Sequence, residues 1–277
     1  MKSDETEKEY ALTPKEVYTM ITGATGGLGE AFVRIAAKNG ENLILTGRYE
    51  GKLRLLKEKI LAEHTGIDVR IYAADLSDEA SRASMMWAIA EAHLKIARLI
   101  NVAGADIQKP FSDYTQEKIS FQCRVNFEAA AALCRFALGV RAKELEIINI
   151  SSVSGLCPMP YFAVYSAMKG ALTSFSASLR EEMKGKGVKV TAVLPGAMPT
   201  RADVRAQIEG QGVWGKLAAK SPAFVAECSL KAVKKNRRKI IPGFWNKVMN
   251  IILKILPLPW KLKFIARRWS KISKDAF

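Results

Sequence analysis

Tyr165 and Lys169 stand four residues apart in the run A-V-Y-S-A-M-K-G-A-L, so on a helix they lie one turn apart on one face. A phenol beside an ammonium is an arrangement for moving a proton. The ordinary tyrosine pKa is about 10, and a nearby positive charge favours the phenolate. Ser152 ends the β-branched run I-N-I-S-S and could hydrogen-bond the same reacting oxygen. A trio of this kind needs a cofactor before it and a substrate wall after it.

The local pattern predicts how the trio is held. Residues 148–150 read as a buried strand that breaks at Ser151-Ser152, and after a Gly/Pro-containing loop a helix starts near Val164 and runs to about Lys184. Upstream, a first strand over Val17–Thr22 runs into T-G-A-T-G-G-L-G, then a helix to Lys38. Glycines 23, 27 and 29 let backbone N–H groups approach a pyrophosphate, whose charge a helix N-terminus can hold. Strands are further expected at 42–46, 69–73, 97–102, 145–150, 188–194 and 239–241. The second ends in Gly47-Arg48, and Arg there suits a 2′-phosphate. The third ends at Asp75-Leu76; Asp75 could accept from an adenine amino group or cap the next helix, whose first turn is Asp78-Glu79. The fourth closes with N-V-A-G, Asn101 to Gly104, small enough to let a cofactor lie on the sheet edge. A helix over 121–138 holds Asn126, most simply a buried group bonding nearby backbone, with a water bridge toward Lys169 as a second reading. Strand alternating with helix predicts an α/β fold: a doubly wound parallel sheet of about seven strands with helices on both faces.

With 277 residues and 49% apolar content, the chain can bury a substantial core. Four cysteines and two histidines show no metal-ligand spacing, so no metal is expected, and reduced thiols suit the cytoplasm. The first nine residues are charged and lack an apolar core, so no signal peptide is expected. The net charge of +16 is uneven: residues 231–277 hold fourteen Lys/Arg against one acid, Asp275. This divides the chain into a flexible leader (1–13), one α/β domain (14–243) and a basic amphipathic extension (244–277).

Together these motifs resemble the short-chain dehydrogenases/reductases over roughly residues 16–243. They are T-G-x-x-x-G-x-G at 22–29, Asp75, N-x-A-G at 101–104, Asn126, Ser152, Y-x-x-x-K at 165–169 and P-G at 195–196. The resemblance implies a Rossmann-like domain and hydride exchange between a nicotinamide and a carbonyl or alcohol. Tyr165 would be the general acid or base, Lys169 would lower its pKa and bind the nicotinamide ribose, Ser152 would polarise the substrate oxygen, and Asn126 would hold a relay water. The cofactor-binding set is Thr22, Gly23, Thr25, Gly26, Gly27, Leu28, Gly29, Arg48, Asp75, Leu76, Asn101, Ala103, Gly104, Tyr165, Lys169, Pro195, Gly196, Met198 and Thr200. The T-G-R at 46–48 resembles NADP(H)-preferring members, whereas Val102 stands where the family most often has a second Asn. A cofactor-binding scaffold without turnover is the rival expectation; retention of all four catalytic positions argues against it.

Substrate is expected against Ser154, Met159 and Phe162 and against the segment after Pro195-Gly196, including Trp214. These residues suggest an apolar 3-oxoacyl, steroid or similar substrate. In the extension, Phe244, Val248, Ile251, Ile252 and Ile255 share one helical side, and Lys247, Asn250 and Lys254 another. Either a peripheral contact with an anionic membrane or a lid over the cleft or a partner subunit fits that pattern. A homodimer or homotetramer is expected, and no nucleic-acid motif accompanies the charge.

Overall fold

The computed structural model of the chain describes residues 17–200 and 218–270. Strands β1 (Val17–Thr22), β2 (Asn42–Gly47) and β3 (Val69–Ala73) alternate with helices α1 (Gly27–Lys38), α2 (Glu50–Glu63) and α3 (Glu79–Glu91). Strand β4 (Lys95–Asn101) leads to α4 (Gln116–Cys123) and α5 (Ala129–Gly139), then β5 (Arg141–Ile150), α6 (Ala163–Glu182) and β6 (Val188–Val193). Helix α7 (Pro222–Lys234), β7 (Lys239–Ile240), α8 (Phe244–Ile255) and α9 (Leu258–Trp269) follow.

All seven strands are parallel, in the order β3-β2-β1-β4-β5-β6-β7. Because successive side chains point to opposite faces, each strand feeds two cores. Ile21, Leu43 and Leu45 pack with Phe32 and Val33 of α1, Leu53 of α2 and Val225 of α7. Met20, Ile44 and Leu99 pack on the other face with Ile89 of α3, Leu133 of α5 and Leu179 of α6. The fold is therefore the doubly wound Rossmann-like sheet. Its strand order reverses between β1 and β4, which opens a crevice at their carboxyl ends.

Three boundaries differ from the sequence reading for identifiable reasons. Strand β5 starts at Arg141, four residues early, because Ala142 is buried within the polar run R-A-K-E-L-E and Ile96 pairs with Arg141 across a register shift. Strand β4 starts at Lys95 and carries Arg98, whose guanidinium pairs with Glu41 and Glu146. The helix expected at 121–138 begins instead at Gln116, where Thr115 caps it, and it contains a π turn over Arg124–Glu128. Such an extra residue in a helix redirects the side chains that follow it. Here it carries Asn126 inward.

Candidate active site

A cleft of about 1160 Å³ runs across the carboxyl ends of β1, β2, β4, β5 and β6. One end is floored by the glycine turn, the middle by Ser152, Tyr165 and Lys169, and the far wall by side chains of α8 and α9.

The trio is assembled by strand β5 and helix α6. The two serines that end β5 point apart, as alternation requires. Ser151 is buried and its Oγ donates to the Lys169 carbonyl at 2.7 Å, with Thr173 Oγ1 also at 2.7 Å, which locks strand to helix. Ser152 faces the cleft, where its Oγ accepts from the backbone N–H (3.1 Å) and the hydroxyl (2.8 Å) of Ser154. With two donors already aimed at that oxygen, its own proton is left for an acceptor in the cleft it shares with Tyr165. Ser154, expected as substrate wall, is largely buried and orients Ser152. Lys169 is buried, its ammonium donates to the Ile150 carbonyl at 3.0 Å, and it sits 5.5 Å from the centre of the Tyr165 ring.

Burial dominates the electrostatics of the pair. The Tyr165 phenol is pushed above its ordinary range by burial, reinforced by the negative charge of Asp106 and opposed by the Ser152 hydrogen bond. Lys169 lies over the ring, its ammonium bonded to the Ile150 main-chain carbonyl. The phenol is held protonated, the form a proton donor needs. Burial moves the lysine itself down to about 8, against the pull of Asp106.

A pH test follows with a definite sign. Between about pH 8 and 10.5 the unfolded chain binds a proton at Lys169 that the folded chain does not, so stability rises with pH there, by on the order of 3 kcal/mol. Above about pH 10 the raised Tyr165 acts the opposite way, because the unfolded phenol ionises first. The buried Cys134 thiol, pushed up to about 12, acts the opposite way from about pH 9. The test is therefore a difference: between pH 8 and 10 the denaturant midpoint of the cofactor-free parent should gain with pH relative to that of Lys169→Met. Equal slopes in the two proteins would show that the lysine carries no such penalty.

The glycine turn is shaped for close approach to a ligand. Gly23 has φ +60°, and a Cβ on Gly29 would lie 2.1 Å from the Gly23 carbonyl oxygen. Gly26, the residue that caps helix α1, offers no side chain, so the first N–H groups of the helix face the cleft without a protein acceptor from a capping side chain. Thr25, Gly27, Leu28, Arg48, Asp75, Leu76, Ala103, Gly104, Pro195, Gly196, Met198 and Thr200 line the same cleft. Thr200 reaches over the turn, since a Cβ on Gly27 would meet its Cγ2 at 2.9 Å. These residues fit an elongated dinucleotide: a glycine cradle and uncapped helix end for the phosphates, and Arg48 at the end of β2. Asp75 does not cap α3. Its carboxylate accepts from Ser77 N–H (2.9 Å) and Oγ (2.7 Å), and Asp78 makes the cap.

Three expected residues do not reach the cleft surface. Thr22 is buried, and its Oγ1 accepts from the N–H groups of Val102 (2.9 Å) and Ala103 (3.0 Å), which fixes the loop after β4. Asn101 is a correction: it points into the sheet and donates to Asn149 Oδ1 at 2.8 Å, and Asn149 in turn donates to Ser176 Oγ at 2.9 Å. That chain ties β4, β5 and α6 together below the trio. Asn126 bonds main chain, accepting from Ala105 N–H (3.2 Å) and donating to the carbonyls of Ala105 (2.7 Å) and Gln122 (3.1 Å). A Cβ on Gly104 would lie 2.9 Å from Asn126 Oδ1 and 3.1 Å from Lys169 Nζ, so that glycine is the gap through which the two groups approach each other.

At the substrate end, Phe162 stacks on Tyr165 at 4.4 Å between centroids and faces Trp269 of α9 at 6.3 Å. Met159, Leu156, Leu253 and Ile265 line the same region, and Trp214 lies outside the described residues. Three features escaped the sequence reading. Asp106 lines the cleft beside the trio. Gly155 packs on the backbone of α6, where a Cβ would lie 2.6 Å from Gly170 N. The polar side of α8, through buried Asn246, turns inward: its amide donates to the carbonyls of Ala218 (3.0 Å) and Pro242 (2.9 Å), and a Cβ on Gly196 would lie 2.7 Å from its Oδ1. The apolar side identified in the sequence turns outward instead.

The sequence matches the family model for short chain dehydrogenases over residues 18–209. It is 30% identical over 235 residues to an Anopheles gambiae protein named dehydrogenase/reductase SDR family protein 7-like, covering 80% of this chain and 73% of that one. Among solved structures, a 7β-hydroxysteroid dehydrogenase superposes with a TM-score of 0.79 at 23% identity, covering 91% of this chain and 98% of the other. A short-chain dehydrogenase from Sphingobium yanoikuyae in complex with NADPH superposes with a TM-score of 0.71 at 25% identity, covering 87% and 96%.

Proposed function

Because the chain belongs to the short-chain dehydrogenase family and is an oxidoreductase of that type, we propose that it reduces a carbonyl on an apolar substrate with NADP(H), Tyr165 being the proton donor. The observation that carries this reading is Tyr165 and Ser152 facing the cleft that the glycine turn also opens into, with the phenol held protonated. A nicotinamide bound there would supply the hydride. The substrate oxygen would take a hydrogen bond from Ser152 and the proton from Tyr165. Lys169, fixed by the Ile150 carbonyl, would hold the cofactor ribose and carry positive charge behind the phenol as it ionises. Asn126 would act through main chain, keeping the loop at Gly104 and Ala105 in place. Thr22, Asn101 and Asn126 serve this reading as positioning residues.

The apolar lining at Leu156, Met159, Phe162, Leu253, Ile265 and Trp269 supports a 3-oxoacyl, steroid or similar ketone, and the superposable steroid dehydrogenase is in keeping with that class. A cytoplasmic homodimer or homotetramer, attached peripherally to a membrane through residues 244–277, belongs to the same proposal.

An NADPH-oxidation screen over 3-oxoacyl thioesters, oxosteroids and small aldehydes tests it. Turnover should concentrate in the first two classes, and consumption of only small polar aldehydes would contradict the apolar assignment. Arg48 lines the cleft at the end of β2, with Thr46 and Gly47 before it. A charge-assisted contact to a 2′-phosphate is worth about 1.5–3 kcal/mol. Arg48→Ala should thus weaken NADPH binding roughly 10- to 100-fold and leave NADH unchanged, as read by titration of cofactor fluorescence. An equal effect on both would remove the 2′-phosphate role.

A further inference from the structure

Helices α8 and α9 have two faces with different partners. Asn246, Leu253, Ile265 and Trp269 turn toward the protein and help wall the cleft. On the other side, Phe244, Ile251, Ile252, Ile255, Leu258 and Trp260 are exposed, Ile255 at 78% and Trp260 at 73%. Among the described residues, nine of the fourteen exposed large apolar side chains lie on these two helices. Apolar surface gathered this way calls for a covering. The exposed cations Lys247, Lys263 and Arg267 lie on the same two helices, and the sequence has no acid between Glu227 and Asp275.

That charge decides the occupant. A second copy docked through the same face would bring two like-charged basic surfaces together, which is costly. A nucleic acid would satisfy the cations but leave the isoleucines and Trp260 in water. An anionic bilayer satisfies both: phosphate headgroups for the lysines, and the headgroup–acyl boundary for the apolar row and the indole. Neither helix is long and apolar enough to cross a membrane, so each would lie along the surface.

We infer that α8 and α9 form a two-faced lid whose outer face docks on an anionic lipid surface while its inner face closes the cleft, so that an apolar ketone passes between bilayer and active site along the lid. This rests on the proposed carbonyl reduction only for what the lid admits; the docking stands on the helices themselves.

The test uses the full chain and vesicles of phosphatidylcholine alone or mixed with phosphatidylglycerol. The protein should sediment with the anionic vesicles and far less with neutral ones, with binding weakened about fivefold for each cation neutralised and by added salt. Brominated acyl chains should quench Trp260, so that Trp260→Phe removes much of the quenching. The variant Ile251→Glu/Ile255→Glu/Trp260→Glu, whose positions do not line the cleft, should lose sedimentation while its melting temperature and its turnover of a water-soluble ketone stay as in the parent. Its KM for a ketone dissolved in the vesicles should rise. Absence of sedimentation, binding indifferent to lipid charge, or a triple variant that sediments like the parent would each overturn the inference, as would a parent dimer that the variant converts to monomer without any vesicle binding. A protein that sediments as described but turns over no ketone would instead remove the carbonyl-reductase reading and leave the docking in place.

Discussion

Tyr165→Phe is expected to lower kcat for carbonyl reduction by about 10²–10⁴-fold, the usual share of a positioned acid. The ring would stay where it is, stacked on Phe162 and faced by the Lys169 ammonium, so the fold should be intact. NADPH affinity should fall by no more than about tenfold, since only one neutral hydrogen bond is lost. The pattern to look for is a split, with kcat collapsing and cofactor binding nearly retained. Stopped-flow NADPH oxidation beside a binding titration reads both. If kcat survives, another group that lines the cleft, such as the hydroxyl of Ser152, delivers the proton.

Gly155→Ala is expected to cost roughly 10²-fold in kcat, although Gly155 touches no reacting atom. The added methyl would lie 2.6 Å from Gly170 N, 2.7 Å from the Lys169 carbonyl carbon and 3.0 Å from its oxygen. Those are backbone atoms of α6 and cannot rotate away, so the turn over Val153–Leu156 must lift off the helix. Ser152 is the cap of that turn and moves with it, away from Tyr165. A shift near 1 Å at a reacting constellation can cost about 10²-fold, while overpacking of this kind destabilises by about 1–3 kcal/mol. Gly51→Ala, with nothing within 4 Å of its Cβ, is the matched control and should leave activity unchanged. An active Gly155→Ala enzyme with unaltered kcat would mean that the turn and the helix are not rigidly coupled.

Much of this site could be read from sequence because its parts are local. Tyr165 and Lys169 are joined by helical periodicity, and the glycine turn by its place between a strand and a helix. Of the two serines after β5, the alternation of the strand buries Ser151 against α6 and leaves Ser152 on the cleft. What escaped the reading depends on contacts between distant segments. The inward aim of Asn101 rests on Asn149, forty-eight residues on. The need for glycine at 155 comes from Gly170, and the raised Tyr165 pKa comes partly from Asp106, which no motif contains. In the extension, periodicity correctly separated two helical sides but could not say which faced the protein. The usual rule puts the apolar side inward. Here Asn246 fits the turn at Gly196 and the opposite side is left outward.

The event at the centre of the proposed reaction can be followed directly. Give the protein a ketone it consumes together with NADPH carrying deuterium at the transferable position of the nicotinamide, and weigh the alcohol by mass spectrometry. One deuterium per alcohol, bonded to the former carbonyl carbon, is the expected product, formed by the parent chain and all but absent with Tyr165→Phe. An unlabelled alcohol, or cofactor oxidised with no deuterated product, would contradict hydride transfer at this site.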